Sequence, residues 1–167
     1  LIKSALDPVI ADRLSRAGPD PAAREKALLS IRVCDPACGS GAFLIAASNR
    51  LGREVAKIRA GTELPSAAEV QAARRDVLSH CIYGVDLNPM AVELAKVSLW
   101  INALVGDKPL SFLDHHIRCG NSLIGATPEL IAGGIPDDAY TPVEGDSKDV
   151  ARRIKAANKE QRQTRTF

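Results

Sequence analysis

The sequence predicts an α/β fold, with parallel strands in the order 3-2-1 joined right-handedly through flanking helices. Three observations carry that expectation. Two short apolar runs, residues 31–34 and 81–85, each close on an aspartate, Asp35 and Asp86. Helix-starting chemistry follows each acid at once, glycines in the first case and Asn88-Pro89 in the second. Around these runs, apolar residues recur three and four apart, the period of amphipathic helices.

Taken in chain order, Ile2, Leu6, Val9, Ile10 and Leu14 place a helix over residues 2–16 despite Pro8. Asp20-Pro21 reads as a cap and first-turn proline for a short helix to about Leu29. Residues 31–34 form the first strand. The next helix starts near Ala42 and buries Leu44, Ala47, Leu51, Val55 and Ile58, until residues 61–65 break it. Ser66-Ala67-Ala68-Glu69 is a capping box for an extra helix ending near Ser79, with Arg74 and Arg75 facing solvent. That insertion accounts for the long separation of Gly41 and Asp86. Cys81 opens the second strand. Asn88 then caps, and Pro89 begins, a helix to Val105 that is apolar nearly all round, through Met90, Val92, Leu94, Val97, Leu99, Ile101 and Leu104. Such a helix is deeply buried or covered by parts outside the sequence, and Trp100 reads as core. Residues 117–119, with His115 as the earliest start, form the third strand. Residues 127–146 look loop-rich, and Val150, Ile154 and Ala157 mark a narrow stripe on a polar helix. The expected division is therefore 1–30 (amino-terminal helices), 31–126 (α/β core) and 127–167 (loop and basic tail). The first strand is expected to leave one edge open to association.

At 167 residues, with 46% apolar and 25% charged residues, the chain has the composition of an intracellular, cytoplasmic globular domain. No leading basic-plus-apolar signal appears, and no uncharged run approaches ~18 residues, so neither export nor membrane insertion is indicated. The net charge of +2 is uneven: residues 148–167 hold seven cations and two anions, +5, which leaves −3 for residues 1–147. That tail is read as a solvated helix before a DNA-phosphate contact, because it lacks base-stacking aromatics. Four cysteines and three histidines show no paired CxxC, so a metal site is not expected. Free, buried, reduced thiols are the expectation.

The loop Asp35-Pro36-Ala37-Cys38-Gly39-Ser40-Gly41, leading into Phe43, carries the chemistry. Its glycines allow close backbone approach, and the helix start behind them offers open N–H groups and a positive dipole end. Asp35 adds a fixed negative charge. A ligand bearing both a carboxylate and an ammonium, such as the methionine part of S-adenosylmethionine, suits this pairing. A dinucleotide fits worse: its fingerprint wants a small residue where Leu44 stands, and Asp35 would repel a pyrophosphate. Asp86, at the tip of the second strand, is placed to accept both hydroxyl protons of a ribose. A ligand-free glycine turn and a solvated strand-end acid are the plain alternatives.

Three segments together resemble a known family: DPACGSGAFL from Asp35, YGVDLNPMAVELAKVSLWI from Tyr83, and IRCGNSLIG from Ile117. They are similar to the amino half of the N6-adenine DNA methyltransferases, most closely the Eco57I-like restriction–modification and phage-defence type. The resemblance covers roughly residues 1–130. It implies a partial Rossmann-like, class I S-adenosylmethionine-dependent methyltransferase fold, with DNA as substrate through the full-length enzyme and restriction or defence subunits as further partners. It places Asp35 against the methionine ammonium, the 37–41 backbone around the tail, and Phe43 on the pocket wall, with a core position as the equal alternative for Phe43. Asp86 falls on the ribose-binding acid, with Leu87 or Asn88 lining the adenine. The third motif falls on Gly120-Asn121-Ser122-Leu123, where Asn121 replaces a commoner Asp and would fix the adenine amine without charge. The family's catalytic Asn/Asp/Ser-Pro-Pro-aromatic element has no counterpart, since none of the ten prolines are adjacent. No catalytic residue is therefore assigned, and the sequence is expected to be the inactive cofactor-binding part of a larger enzyme. Methylation of RNA or protein, or a non-catalytic cofactor-binding subunit, are the alternatives.

Overall fold

Two short apolar strands and a third from the 117 region assemble into a parallel sheet whose tips all point the same way. In the computed structural model, which describes residues 2–103, 110–125 and 127–164, β1 (Val33–Asp35), β2 (Ile82–Asp86) and β3 (Ile117–Cys119) stand in the order β1-β2-β3. β2 is thus central, and read from the other edge this is the expected 3-2-1. Val33 pairs with Ile82 and Asp35 with Gly84; Gly84 in turn pairs with Ile117, and Asp86 with Cys119.

The helices explain where the core sits. α4 (Ala42–Ala60) and α5 (Ala67–His80) fill the connection from β1 to β2, and α6 (Pro89–Ala103) follows β2. Leu44, Ala47, Leu51 and Val55 of α4 are fully buried, as their spacing predicts, with Ile58 half-buried. Gly61, with φ 62°, ends that helix. The capping box at Ser66 and Glu69 is formed in full: Glu69 N–H donates to Ser66 Oγ, and the Glu69 carboxylate accepts from Ser66 N–H at 2.7 Å. Gly52 marks a close approach of α4 and α5, since a Cβ there would sit 3.3 Å from the Arg74 Cα.

Several expectations change. Helix 2–16 is two pieces, α1 (Ile2–Ala5) and α2 (Asp7–Ala17), because Pro8 has no N–H and its ring clashes with the carbonyl of Ser4. α3 (Pro21–Leu29) follows, capped by Asp20. The first strand begins at Val33 rather than residue 31, and Cys81 closes α5 instead of opening β2. Arg74 and Arg75 are half-buried, not solvent-facing, because α5 packs on α4. α6 buries Val92, Ala95 and Leu99 but exposes Met90, Leu94, Val97 and Ile101, so its apolar girdle is covered on one side only. Leu104 and Val105, assigned to the same helix, lie outside the described residues. Lys96 lies almost buried within α6, held by Asp114 at 2.8 Å and Glu93 at 2.9 Å. Those partners raise its pKa, chiefly through the Asp114 hydrogen bond, so it enters the core charged but paired. The thiols also divide: Cys38 and Cys81 are buried, but Cys34 and Cys119 are exposed, because β1 is an edge strand and β3 ends at the sheet tip.

The chain divides into two compact units, residues 1–123 and 124–167. In the second, the stretch read as loop contains α7 (Pro128–Gly133) and a 3-10 turn, Asp137–Tyr140, before α8 (Lys148–Thr164). Glu129 and Asp137-Asp138 start these short turns, which are too brief to show a sequence period. Ala126 and Arg165 lie outside the described residues. No helix among the described residues is long and apolar enough to cross a membrane.

Candidate cofactor site at the strand tips

Side chains alternate along a strand, so the register decides which acids share a face. Asp35 pairs with Gly84, and Asp86 is two residues beyond Gly84; both carboxylates therefore lie on one face, at the carboxyl end of the sheet. It is the face covered by α4, because a Cβ at Gly84 would approach Leu44 Cδ1 to 2.8 Å. The opposite face carries Cys34, Tyr83 and Val85, with Tyr83 stacked on His116 at 4.7 Å and Arg32 5.9 Å above the Tyr83 ring.

The glycine loop crosses between the two acids and is tied to both. Asp35 Oδ1 accepts the Ala37 N–H at 3.1 Å, starting the turn. Cys38 N–H donates to the Val85 carbonyl at 2.9 Å, which docks the loop on β2. Gly39 N–H donates to Asp86 Oδ2 at 2.8 Å, and Asn88 N–H to Asp86 Oδ1 at 2.9 Å. These two donors, Asn88 first, hold the Asp86 carboxyl below the usual aspartate pKa. A depressed folded-state value means the anchoring is present above the ordinary aspartate pKa and is lost as pH falls through the lower folded value. Carboxyl-detected NMR should thus find Asp86 charged from neutral pH down to about 4, the unperturbed aspartate value. A midpoint above the other aspartates would contradict the two-donor arrangement.

Backbone demands explain both glycines. Gly39 has φ 51° and Gly41 φ 84°, left-handed values that favour glycine. Only Gly41 is also crowded, its absent Cβ falling 3.2 Å from the Ala95 Cβ of α6. Gly41→Ala should cost about 1–2 kcal/mol from the backbone, with the Ala95 contact adding to it, while Gly39→Ala should carry the backbone part alone. Thermal unfolding of the two variants tests this, and equal losses would remove the Ala95 contact from the account.

Gly41 is the N-cap of α4, brings no side chain to cap it, and no acid occupies the first turn. The first N–H groups of α4 and its positive end are thus left for an incoming anionic group. Pro36, Ala37 and Ser40 are exposed along the loop, Cys38 is buried beneath it, and Phe43 is half-buried and packs on the core. Burial foremost, then Asp86 and Asp35, raises the Cys38 pKa, so this thiol stays protonated. Burial likewise pushes Cys81 up to about 11.

The third motif reaches the same end of the sheet. Asp86 pairs with Cys119, and Gly120 N–H donates to the Asp86 carbonyl at 2.9 Å. Asn121 is exposed just beyond, its Oδ1 accepting the Leu123 N–H at 2.9 Å in a local turn, so one lone pair of that oxygen is already used. Asn88 Oδ1 accepts the Met90 N–H at 3.0 Å, the capping role expected of it. Leu87 and Leu123 are 69% and 92% exposed, apolar surface at a sheet tip, and Ser122 is exposed beside them. Gly84 and Ala95 were not predicted as parts of this site. Their role is to leave room for Leu44, Cys38 and Gly41, and no local pattern reports such long-range contacts. Among the described residues no three His, Cys, Asp or Glu side chains converge as metal ligands.

A site of this class, two strand-tip carboxylates and a glycine loop opening a helix, is one that open α/β sheets place at their carboxyl edge for nucleotide-like ligands. The chain belongs to the MmeI DNA-methyltransferase domain family, whose model matches residues 22–123 and so contains every element described around the strand tips. It is 36% identical over 105 residues, 57% of the chain, to a candidate type II restriction enzyme and methyltransferase, RM.MjaORFECS2P, of Methanocaldococcus jannaschii. It is also 32% identical over 129 residues, 71% of the chain, to the adenine-specific methyltransferase PglX of Streptomyces coelicolor. These matches span 9% and 10% of the two relatives, so the chain corresponds to about a tenth of their length. No solved structure matches it.

Proposed function

We propose that the chain is the S-adenosylmethionine-binding portion of a class I, Rossmann-like methyltransferase that methylates adenine N6 in DNA. The observation that carries this reading is the shared face of Asp35 and Asp86 with the Gly39 loop strung between them. Opposite charge requirements at one tip suit a zwitterionic amino-acid tail: Asp35 takes the ammonium, and the open N–H groups of the α4 start take the carboxylate. Each Asp86 oxygen uses one lone pair on the backbone and keeps another for a ribose hydroxyl. Leu87 and Leu123 offer flat apolar cover for an adenine ring, with Asn88, Ser122 and the second lone pair of Asn121 Oδ1 as its polar neighbours.

S-adenosylmethionine, when bound, supplies an electrophilic methyl group on its sulfonium. The chain's own residues fix where that methyl lies; proximity and alignment are the terms they contribute. The target amine is held elsewhere in the parent enzyme, because no Pro-Pro-aromatic element occurs in this sequence. A target adenine in duplex DNA would be flipped out to reach it. Restriction or defence subunits are the partners such a parent would have, and the cytoplasm its location.

Incubation of the full-length protein with methyl-labelled S-adenosylmethionine and unmethylated DNA, followed by nucleoside digestion, tests the reading. Label should appear in N6-methyladenine, and the 167-residue chain alone should transfer none. Label in RNA, protein or cytosine would overturn the substrate assignment. Turnover by the isolated chain would show that the acceptor-binding residues lie within it.

A further inference from the structure

We propose that α8 is a docking ridge for the phosphate backbone of duplex DNA, formed by Lys148, Arg152, Lys155 and Lys159. The proposal rests on the reading that the parent enzyme acts on DNA, and names a surface apart from the cofactor site. These four cations are spaced 4, 3 and 4 residues apart, so at about 100° per residue they fall within a ~60° arc on one side of the helix. All four are exposed. At 1.5 Å rise per residue the ridge runs about 16 Å. Phosphate charges pass about every 3.4 Å of helix axis along one DNA strand, so a ridge of this length can face several of them.

Charge on α8 is sorted rather than mixed. Asp149 and Glu160 lie on another side of the helix, about a quarter-turn or more from the ridge, and Arg153 shares that side. Arg152 meets Asp149 at only 3.8 Å, with both side chains more than four-fifths exposed, so this contact neutralises little. Among the described residues no carboxylate pairs with Lys148, Lys155 or Lys159. The rotation of the helix is fixed by its remaining side. Val150, Ala151 and Ile154 line a cavity of about 280 Å³ with Ala139 and Tyr140 of the 3-10 turn and Thr141 just after it. Asn158 Nδ2 donates to the Ile135 carbonyl at 2.9 Å. The ridge therefore faces away from its own unit. A membrane surface is the poorer occupant, because the apolar side has no Trp, Phe or Leu among residues 148–164 to insert. Base stacking is disfavoured as well, since α8 has no aromatic residue.

Fluorescence anisotropy of the full chain with a labelled duplex, over a range of salt, provides the test. R152E and K155E should each weaken binding several-fold and shallow the log K against log salt slope by about 1. R153E, on the acidic side, should change neither. The quadruple variant K148E/R152E/K155E/K159E should lose about 3–4 from the slope. Helicity by circular dichroism and S-adenosylmethionine affinity should remain at wild type in all of them. Equal losses for R153E and R152E would reduce the effect to net charge and overturn the ridge. So would a quadruple variant that binds DNA normally, or wild-type chain that binds anionic phosphatidylserine vesicles in preference to DNA. A chain that binds S-adenosylmethionine but no DNA overturns this inference alone; one that binds DNA but no S-adenosylmethionine overturns the cofactor reading alone.

Discussion

Leu44→Ala is expected to lower the unfolding free energy by about 2–5 kcal/mol, the range for a fully buried leucine truncated in a packed core. Leu44 stands in the first turn of α4 and its Cδ1 occupies the space left by the missing side chain of Gly84. It is the wedge that sets the helix start against the central strand. Stabilities of single domains run to about 5–15 kcal/mol, so the loss is a large share of the total. Gly84→Ala should destabilise by about 1–3 kcal/mol for the converse reason, an inserted methyl with no room. The pair makes a sharper test than either alone. With alanine at 44, the clash 2.8 Å from Leu44 Cδ1 disappears and only the 3.1 Å contacts to Cys38 remain. The double variant should therefore cost less than the sum of the singles in urea unfolding. Strict additivity would mean that Leu44 and Gly84 do not share that space.

Asp86→Ala should weaken S-adenosylmethionine binding by about tenfold to a hundredfold, the scale of hydrogen bonds to a charged group. Two separate functions are removed at once. The loop loses the acceptor of the Gly39 N–H, and the ligand loses the acceptor proposed for its ribose. Asp86→Asn separates them, because its amide oxygen can still accept from one backbone donor while the charge is gone. Isothermal calorimetry should rank wild type above Asp86→Asn and Asp86→Asn above Asp86→Ala. Unchanged affinity in a folded Asp86→Ala variant would remove Asp86 from the ligand.

What could be foreseen follows the range of the interactions involved. The α5 capping box and the Asn88 cap are settled by residues two or three apart, so the sequence alone displays them. The strand-tip acids are legible because an apolar run that ends on Asp and turns into a helix is a local event. Gly84, Ala95 and the Gly52–Arg74 approach are not, since they depend on which elements pack together across tens of residues. The same applies to Cys34 and Cys119, whose exposure comes from strand position and not from residue type. α6 shows the limit of periodicity: its apolar residues surround the helix, and only tertiary packing selects the Val92–Ala95–Leu99 side for burial. Pro8 is a different failure, because a favourable apolar spacing outweighed a proline that breaks the backbone ladder.

Asp35, the 37–41 backbone and Asp86 are proposed to surround one methyl-donor cofactor. Backbone-amide NMR of the 167-residue chain titrated with S-adenosylmethionine tests it most directly. Saturable shifts are expected to concentrate at residues 37–43, 86–88 and 120–123, with NAD producing none of them. A folded chain whose amides do not respond, or respond only at residues outside these three segments, would contradict that arrangement.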